Sequence, residues 1–217
     1  RKSYVPAISA DIENQIKKGL EFIHRRYKAK LAALYFQSWT NTYDSTENLK
    51  RIYDLALSCG DFSQFIVSTR PDCVGEDVAD LLAQYITPER EVWVELGLQS
   101  ASDETLKRIN RGHTLSDYIT CAERLHKRGI KICTHVIIGL PGEERKDFIK
   151  TAEALNQVGS EGVKIHNLHI PGGTRMAQDY LDGEIVSWST ERYMNEVQYF
   201  LRLLNPGMIV QRLVCET

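Results

Sequence analysis

No apolar run in the chain approaches the ~18 residues that a membrane span needs, and no signal peptide opens it. An excess of charge is lacking too. Against 27 Lys and Arg stand 29 Asp and Glu, a formal net charge of −2. That balance argues against binding nucleic acid by bulk charge and leaves only a local basic groove for it. Cysteines are few and scattered. Cys59, Cys73, Cys121, Cys133 and Cys215 are separated by 14, 48, 12 and 82 residues, so no pair has the two- or three-residue spacing of a metal or redox motif. The count is odd and nothing marks secretion, so reduced thiols in a cytoplasmic protein are expected, with no metal ligand among them. Internal repeats, linkers and low-complexity segments are missing as well. The chain opens Arg1-Lys2-Ser3 without an initiator Met, so a motif missing here can stand elsewhere in a longer protein.

What is present reads as one α/β domain. At 217 residues, 42% hydrophobic and 26% charged, the chain can bury a core and fits one barrel-sized unit better than two. Asp11 to Tyr27 places Ile12, Ile16, Leu20 and Ile23 at helical spacing. Leu31 to Phe36 is a continuous apolar run, short enough for a buried strand. Ser45, three residues ahead of Asn48, can cap a helix reaching about Ser58. Phe65–Thr69, Val92–Gly97, Ile130–Ile138 and Gly162–Ile170 read as further strands, with Met208–Val214 as a last candidate. Helices are expected over Glu76–Tyr85, Asp103–Ile109, Leu115–Arg128, Glu144–Val158, Thr174–Leu181 and Thr190–Leu204, with Gly129 ending the third of these. Strand–helix alternation means parallel strands with right-handed crossovers, in an open sheet or in a complete or partial barrel. No G-x-G-x-x-G follows the first strand, which weakens the nucleotide-binding open sheet.

In such folds chemistry collects where strands end. The polar strings here are Gln37-Ser-Trp-Thr-Asn-Thr-Tyr43, Ser68-Thr-Arg-Pro-Asp72, Glu95-Leu-Gly-Leu-Gln-Ser100, His135-Val-Ile-Ile-Gly-Leu-Pro-Gly-Glu143 and His166-Asn-Leu-His-Ile-Pro-Gly-Gly-Thr174. Each has a structural explanation. Asn41, Thr42 and Ser45 can be turn and cap residues, and His166 and His169 ordinary core or loop histidines. Five strings on one edge are harder to dismiss together. Glu95 interrupts a strand that should be buried on both faces, so it needs a partner: Arg70, Lys131 or a ligand's hydroxyls. Arg111, beside Gly112 at a helix end, is either a solvated charge near a helix C-terminus or a planar fork for a carboxylate. Gly139-Leu-Pro-Gly-Glu143 stops a strand and restarts a helix. Its glycines let backbone approach a flat ligand, and Glu143 near the helix start suits the dipole without any further role.

Glu95 to Ser100, Leu106-Lys-Arg-Ile-Asn-Arg-Gly-His113 and Ile137-Ile-Gly-Leu-Pro-Gly-Glu143 follow one another at intervals that resemble the radical S-adenosylmethionine (radical SAM) superfamily. The likeness is greatest to the group containing the Elongator catalytic subunit, the methylthiotransferases and the oxygen-independent coproporphyrinogen dehydrogenase. The Gln37–Tyr43 and Ser68–Cys73 strings resemble a less characterised bacterial branch of it. The match runs from about residue 31 to 174, with 175–217 adding C-terminal helices and the possible last strand. It implies a partial parallel (β/α)6 TIM-type barrel, its first βα unit incomplete or absent, that holds S-adenosylmethionine. By the same resemblance Gln99 meets the ribose hydroxyls and Arg111 pairs with the methionine carboxylate. Gln37, Ser38, Trp39 and Thr40 end the strand whose counterpart meets the methionine amine. Ile137 to Gly139 pack on the adenine, and the last strand, through His169 and Ile170, offers it backbone contacts. His135 stands where several relatives place an Asp, and Thr69-Arg70 where some carry a Glu, so Glu95 is a candidate for the missing carboxylate.

The family's [4Fe–4S] cluster, bound through Cys-x3-Cys-x2-Cys, has no counterpart in the sequence, so its ligands are expected upstream of Arg1 and this chain alone is expected to be inactive. In the intact protein the implied chemistry is reductive cleavage of the cofactor to a 5′-deoxyadenosyl radical. A reductant such as flavodoxin or ferredoxin would supply the electron, and the substrate is a small molecule, a tRNA or a protein. Two other classes stay open on the residues themselves. One is an α/β-barrel enzyme using acid–base residues such as Glu95 and His135 without a radical. The other is a barrel that only binds S-adenosylmethionine or RNA, with Arg25, Arg26, Lys28 and Lys30 as a basic run.

Overall fold

The computed structural model describes residues 9–214, so Cys215 lies outside the described residues. The elements are α1 (Ser9–Tyr27), β1 (Ala32–Phe36), α2 (Thr46–Leu57), β2 (Phe62–Thr69), α3 (Glu76–Ala83), β3 (Glu91–Gln99), α4 (Asp103–Arg108), α5 (Leu115–His126), β4 (Lys131–Ile138), α6 (Arg145–Val158), β5 (Gly162–Asn167), α7 (Arg175–Leu181), α8 (Thr190–Leu201) and β6 (Ile209–Arg212). The strands lie in one six-stranded sheet in sequential order. Helices connect parallel neighbours, which is the partial (β/α)6 barrel class. The chain divides into two compact units, one running to Glu95 and taking in Arg124–Lys131, the other comprising Leu96–Glu123 and the chain from Ile132 on.

In the first unit the core is aromatic. Tyr53 and Phe65 are fully buried and meet edge to face at 5.1 Å, with Phe36 at 5.3 Å from Tyr53 and Tyr85 at 5.4 Å from Phe65. The buried phenols are not left unsatisfied: Tyr53 donates to the Asn41 carbonyl at 2.7 Å and Tyr85 to Asp54 at 2.8 Å. Burial pushes both phenols far above their ordinary value. Ser45 caps α2 as its spacing implies, accepting from the Asn48 amide. Strand β2 begins at Phe62, three residues earlier than its apolar run, because Phe62 and Gln64 pair with Ala32 and Ala33 of β1 across a bulge at Ser63.

In the second unit β4, β5 and β6 run parallel, with Cys133 opposite Gly162, Ile138 opposite Asn167 and Gly162 opposite Ile209. A buried hydroxyl chain ties α5 to the sheet. Tyr118 and Thr134 share a hydrogen bond at 2.7 Å, Thr134 and Ser160 another at 2.8 Å, and Ser160 donates to the Gly162 carbonyl at 2.9 Å. Helix α8 buries Tyr193, Val197 and Phe200. Strand β5 ends at Asn167, so His169 and Ile170 lie in the following loop and not on the strand expected for them. The reason is the neighbour. Strand β4 stops at Ile138, opposite Asn167, and Gly139 turns away with φ 103°, leaving nothing for a longer β5 to pair with on that side.

Candidate functional site

The strand ends of the first unit sort into fasteners and presented residues. Asn41 spans the ends of β1 and β2, its Nδ2 donating to the Phe36 carbonyl at 3.0 Å and to the Ser68 carbonyl at 2.9 Å. Thr42, buried, shares a 2.6 Å hydrogen bond with Thr69 and donates to the Cys73 carbonyl. Thr69 is therefore buried structure. Gln37, Ser38 and Trp39 are exposed and Thr40 half-buried; Trp39 is 84% exposed and holds φ 70°, the left-handed region that bulky residues avoid. Arg70 forks onto Asp72, with bonds of 2.8 and 2.6 Å. Lys131 engages Glu91 at 2.5 Å and lies 5.4 Å from the Trp93 ring. Glu95, 1% exposed, accepts from the Tyr35 hydroxyl at 2.5 Å. A phenol from β1 thus meets the buried carboxyl.

In the second unit three separated residues come together. Gln99 closes β3 with φ 72°, and Arg111 follows α4 after a left-handed Asn110. The Arg111 amide bonds back to the Leu106 carbonyl at 2.9 Å, which turns the side chain towards β3. There its guanidinium donates to the Gly97 carbonyl at 3.1 Å. A Cβ at position 97 would collide with that guanidinium and come within 2.7 Å of Gln99 Nε2, so any larger residue there would push both groups out of this arrangement. The result is an amide and a planar cation side by side. It can hold a hydroxyl-bearing group and a carboxylate at once.

On β4 and β5 the two histidines form a second feature. His135 and His166 stack at 5.2 Å with ring planes 28° apart, and Ile137, opposite His166, shares the half-buried face of β4 with His135. Gly139 follows, with the Trp188 ring 3.5 Å from where its Cβ would be. His169 is exposed and Ile170 half-buried, both in the loop after β5.

Two residues carry more than their sequence context shows. The start of α6 is served by Glu144, the capping residue, whose amide bonds to Asp147 at 3.0 Å. Glu143 is instead 6% exposed and accepts a hydrogen bond from Ser100, the residue after Gln99. Burial, with a smaller contribution from Asp147, pushes its carboxyl up to about 7, against the opposing hydrogen bonds from Ser100 and Thr105. The one signal available was Ser100 itself, a small hydroxyl directly after a candidate ligand residue.

Comparison with known proteins decides the family. The description "Radical SAM superfamily" matches residues 13–155, and "Radical_SAM C-terminal domain" matches residues 160–217. The chain belongs to the radical SAM superfamily. It is 39% identical over 206 residues to an uncharacterised protein of Methanocaldococcus jannaschii, covering 95% of this chain and 61% of that protein. To protein YhcC of Escherichia coli it is 39% identical over 186 residues, covering 86% and 60%. The chain thus spans about three fifths of the length of these relatives. In fold it is similar to the archaeal Methanocaldococcus infernus Elp3, with a TM-score of 0.80 at 20% identity, covering 93% of this chain and 52% of that one. Among the described residues no helix is long and apolar enough to cross a membrane.

Proposed function

We propose that this radical SAM chain is the part of an enzyme that holds S-adenosylmethionine. The observation that carries the reading is the Gly97–Gln99–Arg111 arrangement, in which a bare glycine makes room for an amide and a guanidinium held together. Those residues fit the cofactor's chemistry. Arg111 would hold the methionine carboxylate with its planar fork, and Gln99 would bond the ribose hydroxyls. His135 and Ile137 offer a flat, half-buried surface for the adenine, continued by Gly139. The cofactor supplies a sulfonium whose carbon–sulfur bond breaks on one-electron reduction.

The iron–sulfur cluster that the family implies does not fit the residues present. Among the described residues no three of His, Cys, Asp and Glu gather as a ligand set, and Cys121 and Cys133 are buried in the core. No step is therefore derived through it. A flavodoxin or ferredoxin as reductant, and a small molecule, tRNA or protein as substrate, belong to the same proposal. So does a cytoplasmic location, where Cys59, Cys73, Cys121 and Cys133 stay reduced. An acid–base barrel built on Glu95 and His135 would leave the Gln99–Arg111 pairing unexplained. The test is anaerobic reconstitution of the full-length protein with iron and sulfide, then assay for 5′-deoxyadenosine with and without Arg111→Ala. Cofactor cleavage that depends on Arg111 supports the reading. Cleavage indifferent to it, or no cleavage by a protein that holds its cluster, overturns it.

A further inference from the structure

Gln99 and Arg111 are both held from one direction. Gln99 sits in a left-handed conformation that costs a non-glycine residue about 1 kcal/mol or more, so its surroundings must impose it. The residues after it show how. Ser100 is 1% exposed, donates its hydroxyl to Glu143 and accepts from the Ser102 amide at 3.0 Å. The Ala101 amide donates to Thr151 of α6 at 3.0 Å. Arg111 is reached along α4, and α4 is fixed to the same loop: Arg108 donates to the Pro141 carbonyl at 3.0 Å, over a glycine at 142 whose Cβ would strike its guanidinium. The 139–143 loop is therefore the seat of both residues, and Glu143 is its buried polar contact with β3.

We propose that Glu143 is a positioning residue which, through Ser100, fixes Gln99 and keeps it beside Arg111 in the geometry that receives the nucleoside. Glu143 touches neither Gln99 nor the ligand in this scheme. It acts by making one rotation of the chain after β3 the only one that satisfies a buried carboxyl and a buried hydroxyl together. The inference rests on the proposed S-adenosylmethionine site and adds a residue which that reading leaves to helix geometry.

The test titrates the isotope-labelled full-length protein with S-adenosylhomocysteine and follows amide resonances by NMR, which needs neither cluster nor turnover. Loss of binding in Arg111→Ala establishes the site. Ser100→Ala and Glu143→Ala are then expected to weaken binding about tenfold and to move the Gln99 resonance without ligand, since small misplacements of a site residue carry penalties of that order. Glu143→Gln, whose amide oxygen still accepts from Ser100, is expected to bind within about twofold of the parent, a rescue that general destabilisation would not give. Should Glu143→Ala fail to fold, Ser100→Ala removes the same bond with less damage. If Arg111→Ala loses binding while Ser100→Ala keeps both affinity and the Gln99 resonance, the positioning role is overturned and the site stands. A full-length parent that does not bind, or an Arg111→Ala that binds like it, overturns both.

Discussion

Replacing Glu143 by Gln should make the protein more stable at pH 8 and leave it nearly unchanged at pH 4.5. The folded carboxyl titrates at about 7 instead of near 4.5, because burial penalises its charge more than the Ser100 and Thr105 hydroxyls relieve it. Between those two pH values the folded state holds a proton that the unfolded state has released. Stability therefore falls as pH rises through this window and is lowest, in this contribution, above pH 7. A displacement of that size corresponds to about 3 kcal/mol at roughly 1.4 kcal/mol per pH unit, an upper figure because the buried loop can relax. Gln has the same shape, no charge, and an oxygen that still accepts from both hydroxyls. Urea unfolding of the two proteins at several pH values between 4.5 and 8 gives the difference directly. The lowered carboxyls of Asp54, Glu76 and Glu91 favour the folded state as pH rises, but they are common to both proteins and cancel. A difference that does not change with pH would refute the claim that Glu143 is buried against its charge. One that grows in favour of the parent as pH rises would show that the hydrogen bonds outweigh burial.

Gly97→Ala should abolish S-adenosylhomocysteine binding while leaving far-UV circular dichroism intact, because the new methyl displaces the Arg111 guanidinium and crowds Gln99; retained affinity would remove the glycine from the site. Tyr35→Phe strips a hydrogen bond from the buried Glu95 carboxylate and should cost about 1–3 kcal/mol in urea unfolding, against a few tenths for a surface tyrosine. Phe65→Ala opens the aromatic core of the first unit and should cost about 3–5 kcal/mol by the same assay. Trp39→Gly should raise stability by up to about 1 kcal/mol, since an exposed residue at φ 70° gains more from relieved strain than its ring contributes; a loss would mean that the ring is packed.

Most of the fold was legible because periodicity and capping are local. Ser45 caps α2, the runs at 131–138 and 162–167 pair in register, and the strings that resemble the family mark strand ends. The failures came where a neighbour decides. Polar Ser63 and Gln64 belong to β2 because β1 runs alongside them, and His169 leaves β5 because β4 has already turned at Gly139. Glu95 called for a partner, and the sequence offered Arg70, Lys131 or a ligand's hydroxyls. Arg70 meets an acid two residues away, Lys131 meets Glu91, and the Glu95 carboxylate takes the Tyr35 hydroxyl. A cation's nearest carboxylate cannot be ranked from spacing when several stand within one strand's reach.

Glu143 shows the deeper limit. A carboxylate at the start of a helix is explained well enough by the helix dipole, and that explanation stops the search. What distinguishes Glu143 from Glu144 is burial, which depends on Ser100, 43 residues earlier in the chain. Three strings that a family resemblance treats as parallel contributions to one site are, in the second unit, arranged in dependence. The 139–143 loop seats Ser100 and Arg108; these set the path of the chain on either side of α4; and that path brings Gln99 and Arg111 to Gly97. A substitution in the loop should therefore act on the site through the conformation of β3's last residue. It would do so at a distance that motif matching, which scores each string alone, has no means to express.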